Sequence, residues 1–344
     1  MVAARRLTDQ RLMDLNRLGV SMETDRVRAR LWISLPIDPE REILVILPIW
    51  HSGTPYSVSD GTIYHNGEPF ANVKKIEFDD AVHTYVRAGG KVLTMNTNAR
   101  SFCTGCAFCH YSLEKSEDPP VRQEGELELL LDLYLAEQNW SDYSAVERIG
   151  LSTGCFKTEL HATSHLIVLR NALARRGFRG TLQLLSSVVR SRESLAKIVN
   201  EAGPFHLTLT TECLERRDML LKDSKASLRR NDMTRLLEIA RKEGAGCDFT
   251  YIVGLDDLNE VESELRDMSS AVTQFPKFQV FQPHAEFMKR LRHSTAADTT
   301  YYSAFRDKVT SWFVNRELRP EHWQNYRSLW YYEFGGAEFN GGIV

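Results

Sequence analysis

The chain has 344 residues, 42% of them hydrophobic and 26% charged, with a formal net charge of −3. That length buries a large core, as one domain or two. The near-neutral balance supplies no basic field for nucleic acid and no apolar run is long enough to span a membrane, so neither is an expected partner.

Met1 to Arg6 leads into a polar helix and lacks the pattern of a secretory signal. Arg26 to Leu31 alternates polar and apolar residues, loosely as far as Leu35, and reads as a strand. Ile43 to Leu47 is a continuous apolar run, short enough for a buried strand, which Pro48 is expected to end. The turn signals Ser59-Asp60-Gly61 and His65-Asn66-Gly67 flank Thr62-Ile63-Tyr64 and predict a hairpin. Residues 1–87 are therefore expected to form a β-rich N-terminal extension, with Trp50, His51 and Tyr56 in packing roles.

A strand–helix rhythm starts at residue 88. Lys91 to Asn96 is a short strand, and Leu127, Leu130, Leu131 and Tyr134 follow at helical spacing. Val146 to Leu151, Thr181 to Ser187, His206 to Thr211, Phe249 to Val253 and Phe278 to Phe281 are the next strands. Helices lie between them: from about Glu159 to Gly177, from the N-cap Ser191 to Gly203, and a long polar-and-leucine helix ending near Gly244. Such alternation implies an α/β fold with a parallel sheet, whose right-handed crossovers can curl six units into part of a barrel. Functional loops then follow the carboxyl ends of the strands.

One loop stands out there. Cys103, Cys106 and Cys109 are spaced C-x2-C-x2-C directly after the first of these strands. Thiolates are soft ligands, and three on one loop suit a cubane iron–sulfur cluster with its fourth iron open. Gly105 allows a tight turn between ligands, and Phe108 can shield the cluster. His110 is too near Cys109 to complete a zinc knuckle, and Leu113 stands where a ferredoxin run would carry its fourth cysteine. Six cysteines, three of them clustered, fit a reducing cytoplasm better than a disulfide scaffold. Cys155, Cys213 and Cys247 are scattered and read as small core residues.

The loop resembles that of the radical S-adenosylmethionine (SAM) superfamily, nearest in pattern to the biotin synthase-like group. Cys106-Ala107-Phe108-Cys109 matches the second half of the family pattern, while the first spacing is one residue shorter than usual. The resemblance implies a (β/α)6 partial TIM barrel over residues 88–285, a C-terminal helical and aromatic cap over 286–344, a 4Fe-4S cluster on the three cysteines, and SAM as cofactor. It places Ser152, Thr153 and Gly154 near the methionine amino group, and Glu212 at the ribose hydroxyls. Arg230, ahead of Arg229, is assigned to the SAM carboxylate, and Ile252 and Gly254 to the adenine, with Phe108 beside the cluster. Gln282, His284 and Glu286 follow the sixth strand, where they could meet substrate or cap the barrel; Trp323, Tyr326, Trp330, Tyr331 and Tyr332 could close over it.

The activity so implied is reductive cleavage of SAM to a 5′-deoxyadenosyl radical that acts on a small metabolite, an amino acid or natural-product intermediate, in the cytoplasm. An external donor of flavodoxin or ferredoxin type would supply the electron. Two alternatives stay open: a 3-amino-3-carboxypropyl radical, prompted by the shortened spacing, and a non-catalytic iron–sulfur or zinc regulatory protein.

Overall fold

The computed structural model describes residues 2–78, 85–97, 105–109, 124–152, 156–321 and 327–340. The chain opens with α1 (Val2–Leu18), which buries Leu12, Met13 and Leu15 together with Asp9 and Asn16. Six strands follow: β1 (Val20–Ser21), β2 (Arg28–Leu35), β3 (Asp38–Trp50), β4 (Tyr56–Ser59), β5 (Thr62–His65) and β6 (Glu68–Phe78). They close into a barrel in the order β1-β3-β2-β6-β5-β4, β1 pairing in parallel with both β3 and β4. Ala29, Leu31, Ile33 and Leu35 of β2 recur at period two and fill its core with Val45, Leu47, Tyr56 and Ile63. The hairpin turns at Asp60-Gly61 and Asn66-Gly67 have positive φ at both residues, as two-residue hairpins of right-twisted strands require. Pro48 does not end its strand: β3 runs on to Trp50, where Ile49 and Trp50 pair with β1.

A second sheet holds seven strands. These are β7 (Tyr85–Arg87), β8 (Val92–Met95), β9 (Arg148–Leu151), β10 (Thr181–Ser186), β11 (Phe205–Glu212), β12 (Gly246–Val253) and β13 (Lys277–Val280). They lie in sequence order, β8 to β13 parallel and β7 antiparallel to β8. The fold is thus mixed α/β, and its sheet has one strand more than the six-unit reading anticipated. The connecting helices are α2 (Glu124–Gln138), α3 (Glu159–Arg175), α4 (Arg192–Ala202), α5 (Arg217–Leu220), α6 (Asp223–Ala226), α7 (Arg230–Lys242) and α8 (Leu258–Ala271). After β13 come α9 (Glu286–Lys289), α10 (Thr299–Phe313) and the small hairpin of β14 (Glu333–Phe334) and β15 (Ala337–Glu338).

The two faces of the second sheet differ in chemistry. Leu182, Leu184, Leu207, Leu209, Phe249, Tyr251, Val253, Phe278 and Val280 pack into one core with Leu166, Leu169, Ile198, Met233, Leu237, Leu265, Phe305 and Val309 of the helices. The residues between them in sequence point the other way: Gln183, His206, Thr208, Thr210, Asp248, Thr250 and Lys277. A parallel sheet covered by apolar layers on both sides reads as unbroken hydrophobic runs. Here only the helix-facing side does, and the other carries hydrogen-bonding groups.

The C-terminal aromatics are packing residues. Trp330 and Tyr331 are fully buried, Trp330 lying edge-on to Phe275 at 5.3 Å and Tyr331 Oη accepting from Asn16 Nδ2 at 2.8 Å. Trp323 and Tyr326 lie outside the described residues.

Candidate functional site at the carboxyl ends of the strands

Cys106 and Cys109 are joined by a tight turn in which Cys109 N donates to Cys106 O at 3.1 Å. Gly105 before them has φ +101°, and a Cβ there would meet Lys222 Cβ at 3.1 Å, so the loop needs glycine for both its conformation and its approach to the next segment. Ala107 N donates to Leu220 O at 2.9 Å. Cys106, 7% exposed, shares an apolar cluster with Cys213, Leu220, Leu221, Ile252, Leu255, Phe281 and Met288, with Phe108 and Cys109 packed against it. Cys213, Ile252 and Phe281 sit at or just past the ends of β11, β12 and β13, so the cysteine pair lies over those ends. Cys103 lies outside the described residues. Among the described residues no three histidine, cysteine or acidic side chains converge closely enough to hold a metal ion. Two soft sulfur ligands three residues apart, one of them in apolar surroundings, fit one side of an iron–sulfur cluster.

Glu212 is next to that cluster. The pairing of β11 with β12 slips between Thr210 and Glu212, and Glu212 takes φ +64°. A left-handed conformation costs a non-glycine residue about 1–2 kcal/mol, and such strain is held only where the surroundings over-determine it. Its carboxylate receives Lys225 Nζ at 2.7 Å. The turn that follows is anchored on Asp256, whose carboxylate accepts from Leu214 N (2.7 Å), Glu215 N (3.1 Å) and Tyr251 Oη (2.9 Å). Burial pushes the Asp256 carboxyl and the Cys213 thiol up from their ordinary ranges.

The other expected residues separate. Ile252, 5% exposed, is in the cysteine cluster. Gly254 has φ +111°, but the space of its missing side chain is taken by Tyr302, with Oη 2.5 Å from a Cβ position. That glycine makes room for Tyr302 of α10. Ser152 is exposed at the end of β9, its N–H donating to Met95 O at 3.4 Å, while Thr153 and Gly154 lie outside the described residues. Arg230 is engaged on the helix layer: its guanidinium pairs with Glu264 and donates to Glu260 O at 3.2 Å, both on α8. The arginines at the strand ends are Arg216, which donates to Leu255 O (3.1 Å) and Leu291 O (2.9 Å), and Arg217.

Gln282 and His284 tie the sheet to the N-terminal barrel. Gln282 Nε2 donates to Ile46 O at 2.6 Å and Asn16 Oδ1 at 3.1 Å. His284 is 5% exposed, and burial, with Arg28 and Arg327 nearby, holds its imidazole neutral. Glu286 is exposed and pairs with Lys289 at 2.7 Å.

The sequence reading missed the polar face of the sheet. Lys277 pairs with Asp248 and donates to Thr208 Oγ1 at 3.1 Å; Gln183 Nε2 donates to Thr208 Oγ1 at 2.7 Å; His206 Nε2 lies 3.4 Å from Asp248 Oδ2. Burial alone would raise the Asp248 carboxyl, but Lys277 and His206 outweigh it and hold it at about 2. The signal was available as polar residues at every second position of β11 and β12. A cavity of about 600 Å³ lined by Arg148, His206, Gln274, Arg319 and Glu321 opens at the amino ends of the strands, away from the cysteines.

No protein-family model matches the chain, and no curated protein matches it. Among solved structures it is similar to Streptococcus suis SuiB bound to the precursor peptide SuiA, at 15% identity and TM-score 0.43, over 66% of this chain and 47% of that one. It is similar to SuiB bound to S-adenosylmethionine, at 12% identity and TM-score 0.44, over 66% and 49%. It is also similar to TsrM from Kitasatospora setae, a radical S-adenosylmethionine methyltransferase with tryptophan substrate and a SAM analogue bound, at 14% identity and TM-score 0.41, over 56% and 36%. The matched regions span about half or less of those chains.

Proposed function

We propose that the chain is a radical SAM enzyme working on a (β/α)6 partial barrel made by β8–β13 and their helices, with Cys103, Cys106 and Cys109 holding a 4Fe-4S cluster. One observation carries the reading: the Cys106–Cys109 turn is packed over the carboxyl ends of β11–β13, in one apolar cluster with Ile252 and beside the strained acid Glu212. When bound, the cluster would supply the electron that cleaves SAM to a 5′-deoxyadenosyl radical.

The chain's own residues would bind, orient and shield. Cys106 and Phe108 bring apolar surroundings that keep water from the reacting end. Glu212 offers a carboxylate to the ribose hydroxyls, and Ile252 an apolar surface to the adenine. The hydroxyls of Thr208, Thr210 and Thr250, with Gln183 and Lys277, give the polar face of the sheet the donors and acceptors that a small polar metabolite needs. Arg217 is a better placed cation than Arg230 for the strand ends, although its role there is to bind carbonyls.

The test is anaerobic reconstitution with iron and sulfide, then reduction with dithionite in the presence of SAM. The expected products are 5′-deoxyadenosine and methionine, because positioning of the reacting atoms by the pocket selects the bond that breaks. Methylthioadenosine alone would favour the 3-amino-3-carboxypropyl reading, and a bound cluster with no SAM cleavage would favour a regulatory protein.

A further inference from the structure

The turn after β11 holds a carboxylate in place by more contacts than a strand end needs. Arg217, 5% exposed, donates from Nη1 to Thr211 O (2.6 Å) and Cys213 O (2.7 Å), the carbonyls on either side of Glu212, and from Nη2 to Lys225 O (2.6 Å). One planar guanidinium therefore fixes both neighbours of the residue with φ +64° and the backbone of the residue that pairs with it. Lys225 closes the loop by reaching Glu212 Oε1, the two side chains being 11% and 13% exposed. The same segment carries the cysteine loop, through Leu220 O to Ala107 N and through the contact of Lys222 with Gly105. Carboxylate and cysteine pair are thus mounted on one short stretch of chain.

We propose that Lys225 and Arg217 are positioning residues for Glu212. Lys225 holds the carboxylate against rotation, and Arg217 clamps the strained peptides around it. With Oε1 taken by the ammonium, Oε2 and the remaining lone pairs stay available to accept from the vicinal hydroxyls of a nucleoside. The inference rests on the reading of this site as the SAM pocket, and it adds the residues that make Glu212 a fixed acceptor.

The experiment is calorimetric titration of SAM into the reconstituted full chain, with iron content measured in every variant. K225M is expected to bind SAM about tenfold more weakly, the scale of a lost charge-assisted contact. K225R is expected to recover affinity to within about threefold, since it restores the cation. E212A/K225M is expected to bind as weakly as E212A and no more weakly, because Lys225 acts through Glu212. Iron content should not change in any of them. Unchanged affinity in K225M overturns the proposal, and so does a double variant weakened by the product of the single effects. If K225M does not fold, K225Q, which keeps polarity and most of the length, carries the same comparisons. A wild-type chain that holds iron and binds no SAM overturns the site reading itself, a different result from a wild type that binds while K225M is unaffected.

Discussion

Gly254 and Asp248 show what single residues do at the two levels of the sheet. A side chain on Gly254 would have to adopt φ +111° and push Tyr302 Oη away from 2.5 Å. Gly254→Ala is therefore expected to destabilise the chain by about 2–4 kcal/mol, from overpacking and left-handed strain together. A urea midpoint equal to the wild type's would show that α10 yields without cost. Asp248 is fully buried and depends on Lys277 for its charge. Lys277→Met removes the ammonium and leaves His206 as the remaining partner of that charge, which should cost about 3 kcal/mol, the low end for breaking a buried pair from one side; adding Asp248→Asn to it should restore part of the loss, which the same denaturation series reads. Cys106→Ala or Cys109→Ala should abolish the visible absorbance of a reconstituted cluster, and iron content retained at the wild-type level in both would remove this turn from the metal site.

Among the elements, the helices that begin on a good cap were the most legible. Ser191 and Thr158 cap α4 and α3, their hydroxyls accepting from Ser194 N and His161 N, each at 3.1 Å. Ser191→Ala is expected to cost about 1 kcal/mol, seen as a lowered melting temperature with unchanged far-ultraviolet dichroism at 20 °C. The segment after β11 was less legible. It reads as one polar helix to Gly244, yet the chain makes the single turns α5 and α6 before α7 begins at Arg230. Arg217 causes this by drawing Thr211 O, Cys213 O and Lys225 O around one guanidinium, a set of contacts that no helical periodicity records. Arg230, favoured ahead of Arg229 for the SAM carboxylate, pairs with Glu264 on α8, while Arg216 and Arg217 lie just past the end of β11.

For the whole molecule, buried histidines and buried carboxyls act on the response to pH in opposite directions. Burial holds His165 down at about 4, His161 adding to the effect, and it lowers His206 and His284 as well. A histidine depressed in the fold contributes its full stability above the unfolded value of about 6.5 and loses it as pH falls toward the folded value. His165 alone then accounts for about 3 kcal/mol lost between pH 6.5 and 4. Asp9, whose carboxyl burial raises to about 7, works in the opposite sense over the same range, so the histidine contribution is read as a difference: the gap in urea midpoint between the wild type and His165→Gln should fall as pH is lowered from 6.5 to 4.5, and a constant gap would show that His165 does not titrate there. The fall should be accompanied by loosening near Thr97, whose Oγ1 lies 2.8 Å from His165 Nε2 at the end of β8.

Local chemistry in the sequence was enough for the alternation of strands and helices from β8 to β13, for the paired turns of the N-terminal hairpins, and for the position of the cysteine loop after the first parallel strand. Each of these depends on residues near one another in the chain: period-two and helical spacing, caps, and glycines at positive φ. Tertiary structure decided the rest. Closure of the first barrel depends on Val20 and Ser21 reaching β3 and β4, pairings whose register no local pattern specifies. β7 joins the second sheet as an antiparallel strand through its pairing with β8. Gln282 and His284, expected to meet substrate or cap the barrel, have contacts with Asn16, Ile46 and the Val27–Arg28 region, because the N-terminal barrel packs against the end of β13. The strain at Glu212 arises from a slipped pairing with β12 and from side chains 5 and 13 positions further on, and contacts over that range exist only once the chain has folded back on itself.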